Sequence, residues 1–272
     1  MCTVNLPRRL VSLPWKGIVL LAVGLLTLGW LLITPEGLLG KADAVGYAVC
    51  HRIDLRSFYI GVRQMPLCAR CSGMYLGAML GLVYLSVLSR RRGGMPSTTI
   101  TIILGALVAA FVIDGINSFL SAFPGAPQLY QPQNWLRLLT GTGMGIAIAA
   151  FLYPAFNQTV WKDWDGRPAL GSLRALAGLV LLAALLDLLM LSGNPLVLYP
   201  LALLSAAGVL VLLTIAYGML WLIVLRAENR YQKASQLLLA MAGGFGLAMI
   251  QIIALDFVRY WITGTWDGFH FG

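Results

Sequence analysis

Residues 197–225 read VLYPLALLSAAGVLVLLTIAYGMLWLIVL, a run of twenty-nine residues without one charged side chain. About 20 apolar residues suffice to cross a bilayer, so this stretch spans one with length to spare for tilt. Six more apolar segments of spanning length accompany it, near 16–34, 72–89, 98–120, 135–155, 172–191 and 235–262. The composition agrees. Hydrophobic residues make up 59% of the chain and charged residues 11%, with mean hydropathy +0.83, against roughly 25% charged residues in a soluble domain. The expectation is an all-α polytopic membrane protein, a bundle of about seven transmembrane helices whose first partner is membrane lipid.

The segment at 16–34 follows Arg8, Arg9 and Lys16 and resembles a signal peptide. Its apolar run is too long for one and no small-residue cleavage site follows, so it reads as an anchor that stays. Three parts result: a cytoplasmic N-terminus at 1–15, a first membrane part at 16–155 containing a loop at 35–71, and a second membrane part at 156–272.

The formal net charge of +9 does not point to nucleic acid, because its distribution follows the spans. Twelve of the nineteen basic residues fall in one set of connections: Arg8, Arg9 and Lys16; Arg90, Arg91 and Arg92; Lys162, Arg167 and Arg174; Arg226, Arg230 and Lys233. Only Asp163, Asp165 and Glu228 oppose them there, and the other side carries seven basic and seven acidic residues. The positive-inside rule places the basic side in the cytoplasm. The N-terminus is then cytoplasmic, and the loop at 35–71 is extracytoplasmic.

That loop holds Cys50-His51 and Cys68-Ala69-Arg70-Cys71, three of the four cysteines and one of the two histidines. Cys2 falls on the other side. Thiolate and imidazole are soft metal ligands, and Cys50, His51, Cys68 and Cys71 match a zinc set in type and number. Adjacent Cys50 and His51 can both ligate only in a constrained turn, and His270 is a distant substitute for the fourth ligand. Between Cys50 and Cys71 lie four arginines, Arg52, Arg56, Arg63 and Arg70, with one acid, Asp54. Together with Arg137 and Arg259 they are the candidate anion-binding residues. Gly73, Gly77 and Gly81 repeat every fourth residue after the cluster, the spacing of a close helix–helix contact.

Ionisable groups inside spans are costly and mark function by default. Here Asp114, Asn117, Asn134, Arg137, Thr140, Asp187, Asp256 and Arg259 all lie toward the outer ends of their spans. Asp114, Arg137, Asp187 and Asp256 are therefore the catalytic candidates, in a polar outer-leaflet pocket beneath the loop. The alternative is plain interhelical pairing, Asp114 with Arg137 and Asp256 with Arg259. Ile113-Asp114, Leu186-Asp187 and Leu255-Asp256 recur about 70 residues apart, a faint sign of three repeated helical hairpins.

The string Cys50-His51-Arg52, Arg56-Ser57-Phe58, Gln64-x-Pro66-Leu67-Cys68-x-Arg70-Cys71-Ser72-Gly73 resembles the signature of a prokaryotic family of predicted membrane proteins, domain of unknown function 2085. Asp114-Gly115 and Asn134-x-Leu136-Arg137-x-x-Thr140-Gly141 extend the resemblance over roughly residues 45–150. It implies a membrane fold and no activity, and it leaves the last three spans as an extension.

Three chemistries stay open on these residues. A zinc centre comes first; with three ligands only, its open position suits processing of a lipid or headgroup. A thiol–disulfide oxidoreductase using Cys68-x-x-Cys71, with Cys50 resolving and a quinone near Phe58, Tyr59, Trp135, Tyr260 and Trp261, is the second. A structural clip in an accessory subunit of a larger membrane complex is the third. Haem c attachment is disfavoured, since Ser72 stands where a histidine would follow Cys71. No phosphate loop, serine-hydrolase elbow or metalloprotease helix motif occurs.

Overall fold

A computed structural model describes residues 13–123 and 125–267; Cys2, Arg8, Arg9 and His270 lie outside them. Among the described residues, eight α-helices run in the order α1 (Leu13–Ile33), α2 (Gly37–Val49), α3 (Ala69–Leu88), α4 (Thr98–Leu120), α5 (Asn134–Val160), α6 (Leu173–Leu191), α7 (Pro195–Val224) and α8 (Leu238–Thr263). Seven of them, all but α2, are long and apolar enough to cross a membrane. The seven expected spans fall on these seven helices, with ends shifted by five residues at most.

The centre of the bundle is the pair α3 and α5, which meet backbone to backbone. A Cβ on Gly73 would stand 2.4 Å from the Leu138 carbonyl oxygen, and one on Gly77 2.6 Å from that of Thr142. From the facing side, a Cβ on Gly141 would stand 2.2 Å from the Arg70 carbonyl oxygen, and one on Gly145 2.3 Å from that of Met74. The four-residue glycine spacing of α3 thus meets a matching pair on α5. Lipid gives helices no hydrophobic reason to associate, so such close contact is what holds spans together. Around the pair, Leu85, Ile100, Leu104, Ile146, Leu170 and Leu179 fill one apolar cluster, while α1, α7 and α8 pack together on another side. Leu32, Val87, Ile102, Leu181 and Phe257 point outward, as lipid-facing side chains do.

The connection at 35–71 is folded. Helix α2 is buried along Ala44, Val45, Gly46 and Tyr47. The hairpin β1 (Ser57–Ile60) with β2 (Arg63–Cys68) pairs antiparallel and delivers Cys68 to the start of α3. Sequence periodicity marks neither, because both are short and half covered by the spans. At the opposite end, β3 (Arg92–Gly94) pairs in parallel with β4 (Asp165–Pro168). The Lys162 amide donates to the Tyr231 carbonyl at 2.9 Å, and Arg91 lies 4.5 Å over the Trp161 ring. The basic connections are therefore stitched to one another.

Gly141→Ala is expected to lower the thermal midpoint in detergent by the equivalent of about 1–3 kcal/mol, the cost of overfilling a packed contact. Gly105→Ala, where a Cβ meets nothing within 4 Å, is expected to leave the midpoint unchanged.

Candidate metal centre

Three pieces of backbone bring the sulfurs together. Cys50 ends α2, Cys68 caps the start of α3, and Cys71 lies in its first turn. The ends meet because α2 crosses β2 at Gly46, where a Cβ would stand 1.9 Å from the Pro66 carbonyl oxygen. The three Sγ atoms lie within 4.8 Å of one another, and the Cys68 amide donates to Cys50 Sγ at 3.3 Å. Tetrahedral thiolate bonds of about 2.3 Å set sulfurs about 3.8 Å apart. The three thiols are thus close enough to hold a metal ion. Trp30, Val45, Leu67, Val209, Met249 and Ile252 form the dry wall behind them.

The thiols differ in acidity. The Cys68 thiol is held well below the ordinary range, first by hydrogen bonds from Cys50 and Cys71 and then by nearby Arg70. Its partner Cys50 is pushed up to about 12, chiefly by giving its proton to Cys68 and then by burial.

His51 is not part of this group, so the expected four-ligand set shrinks to three. The backbone explains why. Cys50 is extended at φ −132° and ψ 145°, and neighbouring side chains of an extended segment point to opposite sides. The His51 side chain is exposed and lines a cleft of about 290 Å³ with Tyr47, Cys50, Val258 and Arg259.

The six candidate anion-binding arginines divide. Arg52, at φ 51° in the left-handed region, shares Asp43 with Arg63 at 3.0 Å and 2.6 Å respectively. Arg259 donates to the carbonyls of Tyr47 and Cys50 at 2.6 Å each, and lies 4.0 Å over the Tyr47 ring. It thereby caps the C-terminal end of α2, where a cation meets the negative end of the helix. The other three converge on Ser118. Arg56 donates to its carbonyl at 2.9 Å, while Arg70 and Arg137 donate to its hydroxyl at 2.9 Å and 3.3 Å.

The carboxylates divide too. Asp114 pairs with Arg70 rather than Arg137, and Tyr130 donates to it at 2.8 Å. Tyr130 is raised to about 12 by burial and then by this bond, so it stays a donor. Asp187 accepts from Thr142 at 2.7 Å and Asp256 from Trp30 Nε1 at 3.0 Å. Thr140, which reaches Asp114, and Thr142 are two residues apart on α5, hence on opposite sides of that helix. Asp114, Asp187 and Asp256 thus occupy separate interhelical contacts instead of lining one pocket. Asp43, Ser118 and Tyr130 were invisible to sequence reasoning, because common polar residues in connections and at helix ends carry no pattern.

Helices of this length and a group of three cysteines close enough to hold an ion define an integral membrane protein with a potential metal centre. The family described as "Predicted membrane protein (DUF2085)" matches residues 50–151. An "Uncharacterized protein" of Methanothermobacter thermautotrophicus is 30% identical over 101 residues, which cover 37% of this chain and 81% of that one. The "Uncharacterized protein MJ1492" of Methanocaldococcus jannaschii is 26% identical over 121 residues, 44% of this chain and 72% of that one. No solved structure matches. The chain belongs to the DUF2085 family. The matched stretch contains all three cysteines and the Ser118 arginines and ends within α5; Asp187, Asp256 and Arg259 lie beyond it.

Asp114 is the carboxylate bonded to Arg70 and is 1% exposed. Removing one partner of a buried pair costs about 3–5 kcal/mol, the lower end applying here because Arg70 is 18% exposed. Asp114→Asn is expected to lower the thermal midpoint well beyond the effect of Asp165→Asn, whose Arg167 partner is 72% exposed.

Proposed function

We propose that this protein is a zinc-binding integral membrane protein whose centre, made by Cys50, Cys68 and Cys71, lies at the extracytoplasmic face. The observation that carries the reading is the mutual approach of three sulfurs within 4.8 Å. Its support is chemical. Soft thiolates select zinc among common divalent ions. The hydrogen bond that the Cys68 amide donates to Cys50 Sγ and Arg70 beside Cys68 favour the charged ligands. Three protein ligands leave a fourth position for water or a substrate atom, the arrangement of a Lewis-acid site. The cleft beside Cys50 and His51 gives such a group a way in. Lipid or lipid headgroups are the substrate class that location favours.

The extracytoplasmic placement rests on charge. The connections at the β3–β4 end carry the basic excess, and cytoplasmic loops carry such an excess. The N-terminus is then cytoplasmic. The division into a first membrane part at 16–155 and a second at 156–272 has support in the family match ending at residue 151.

One observation favours thiol–disulfide exchange as a second reading: the lowered Cys68 thiol sits at a helix start, beside a thiol that can resolve it. Metal content and thiol count separate the two. Purified protein is expected to carry one zinc per chain, with thiols that react only after chelation. Cys68→Ser is expected to reduce the zinc to below about a tenth of that. Ligand protons compete with metal, so zinc retention should fall as the pH drops from neutral to about 5. Metal-free protein with an oxidised Cys68–Cys71 pair would sink the zinc reading.

Orientation has its own test. Val62 at the hairpin tip is fully exposed. Val62→Cys should react with a membrane-impermeant maleimide on intact cells, and Arg226→Cys only after the membrane is opened. The reverse pattern would invert the topology.

A further inference from the structure

The arginines at Ser118 raise a problem of charge that the metal centre does not solve. Three guanidinium groups, from β1's approach (Arg56), the first turn of α3 (Arg70) and the first turn of α5 (Arg137), meet around one serine at the end of α4. Ser118 is fully buried and Arg137 is 5% exposed. Among the described residues, Asp114 is the one carboxylate bonded to them. Three guanidinium groups thus meet one bonded carboxylate. Buried charge without a counter-charge is costly, so such sites are completed by an ion.

Donors are in surplus as well as charge. A guanidinium carries five N–H groups. Among the described residues Arg56 makes one hydrogen bond, to Ser118, and Arg137 makes two, to Ser118 and to Asn134. The remaining donors are within reach from outside, since Arg56 is half-buried and Arg70 is 18% exposed. Burial, and after it the neighbouring Arg70, holds the Arg56 guanidinium below its ordinary range, as a crowd of cations short of an anion requires. The ends of α3 and α5 add to this. Neither Cys68 nor Gln133 caps its helix with a side-chain hydrogen bond, and the first turn of a helix carries the positive end of its dipole.

We infer that Arg56, Arg70 and Arg137, gathered around Ser118, form a binding site for a phosphate group. Planar, fixed guanidinium forks suit the tetrahedral oxygens of a phosphate, and several forks around one anion give a specific site where a single surface arginine does not. The phosphate has two sources, an anionic phospholipid headgroup or a free phosphate. Position favours the headgroup. Arg70 and Arg137 are in the first turns of spanning helices, the height at which lipid phosphates lie. Phe119, Trp135 and Leu139 beside them are exposed to the surrounding bilayer, at 63%, 46% and 41%. The site contains none of the three cysteines, so its anion is tested apart from the metal, although Arg70 lies next to both.

The experiment uses the full chain purified in a neutral detergent. Native mass spectrometry measures retention of added phosphatidylglycerol and phosphatidylcholine, with and without inorganic phosphate, and zinc is measured on the same samples. Wild type is expected to hold one phosphatidylglycerol with a preference of about tenfold or more over phosphatidylcholine. Arg56→Gln is expected to reduce that binding about tenfold, the effect of one charge-assisted contact, with zinc content unchanged. Arg63→Gln, on the exposed pair with Asp43, is expected to bind as wild type does. Displacement of the lipid by millimolar phosphate assigns the site to the free anion as well; retention against it assigns the site to the headgroup. Should Arg56→Gln fail to fold, Arg56→Lys and the wild-type arms decide instead. Equal retention of the two lipids by wild type, with no stabilisation by phosphate, overturns the proposal. So does an Arg56→Gln protein that folds and binds phosphatidylglycerol as wild type does.

Discussion

The contact between α3 and α5 is the constraint on which the arrangement depends. Its geometry is set by hydrogen atoms: four glycines let carbonyl oxygens of one helix sit where the other would carry Cβ atoms. Once the axes are that close, the first turns of the two helices have little freedom. Arg70 and Arg137 are brought to a common height, and α4, packed on α5, brings Ser118 and Asp114 to both. Larger side chains at Gly73 or Gly141 would separate the helices and pull those groups apart. Packing in the apolar interior thus decides the chemistry at the surface of the membrane.

The spans were legible because the bilayer imposes one simple demand, about 20 apolar residues in a row, and the chain meets it seven times. The Gly73, Gly77 and Gly81 spacing was legible for a similar reason, since a four-residue repeat keeps to one helix face. Its partner glycines on α5 were not, because nothing local says which span faces which. The cysteines announced themselves through rarity, and three of the four expected ligands come together. The fourth, His51, fails on a local detail, the extended backbone at Cys50, which composition does not encode. Ion pairs were the least legible part. The expected partners were Arg137 for Asp114 and Arg259 for Asp256, whereas Asp114 bonds Arg70 and Asp256 accepts from the indole of Trp30. In a bundle, a buried charge answers to whichever neighbour is packed against it.

The two polar centres are neighbours of opposite sign. Arg70 stands between Cys68 and Cys71 in the chain and takes part in both, bonding Asp114 and Ser118 while lowering the Cys68 thiol. Each centre eases the electrostatic cost of the other. A lowered thiol against an apolar wall gains from positive charge nearby, and a cluster of guanidinium groups needs negative charge; Arg70 faces both.

Arg259 has a consequence for how the chain is put together. It belongs to α8, beyond the stretch shared with the family, yet it grips the carbonyls on either side of the α2 terminus. A chain cut after residue 151 would keep every sulfur and still lose that grip, leaving the register of Cys50 against Cys68 to the crossing of Gly46 over Pro66. The helices after residue 151 are therefore no mere appendage: one of them is part of the jig in which the first cysteine is set.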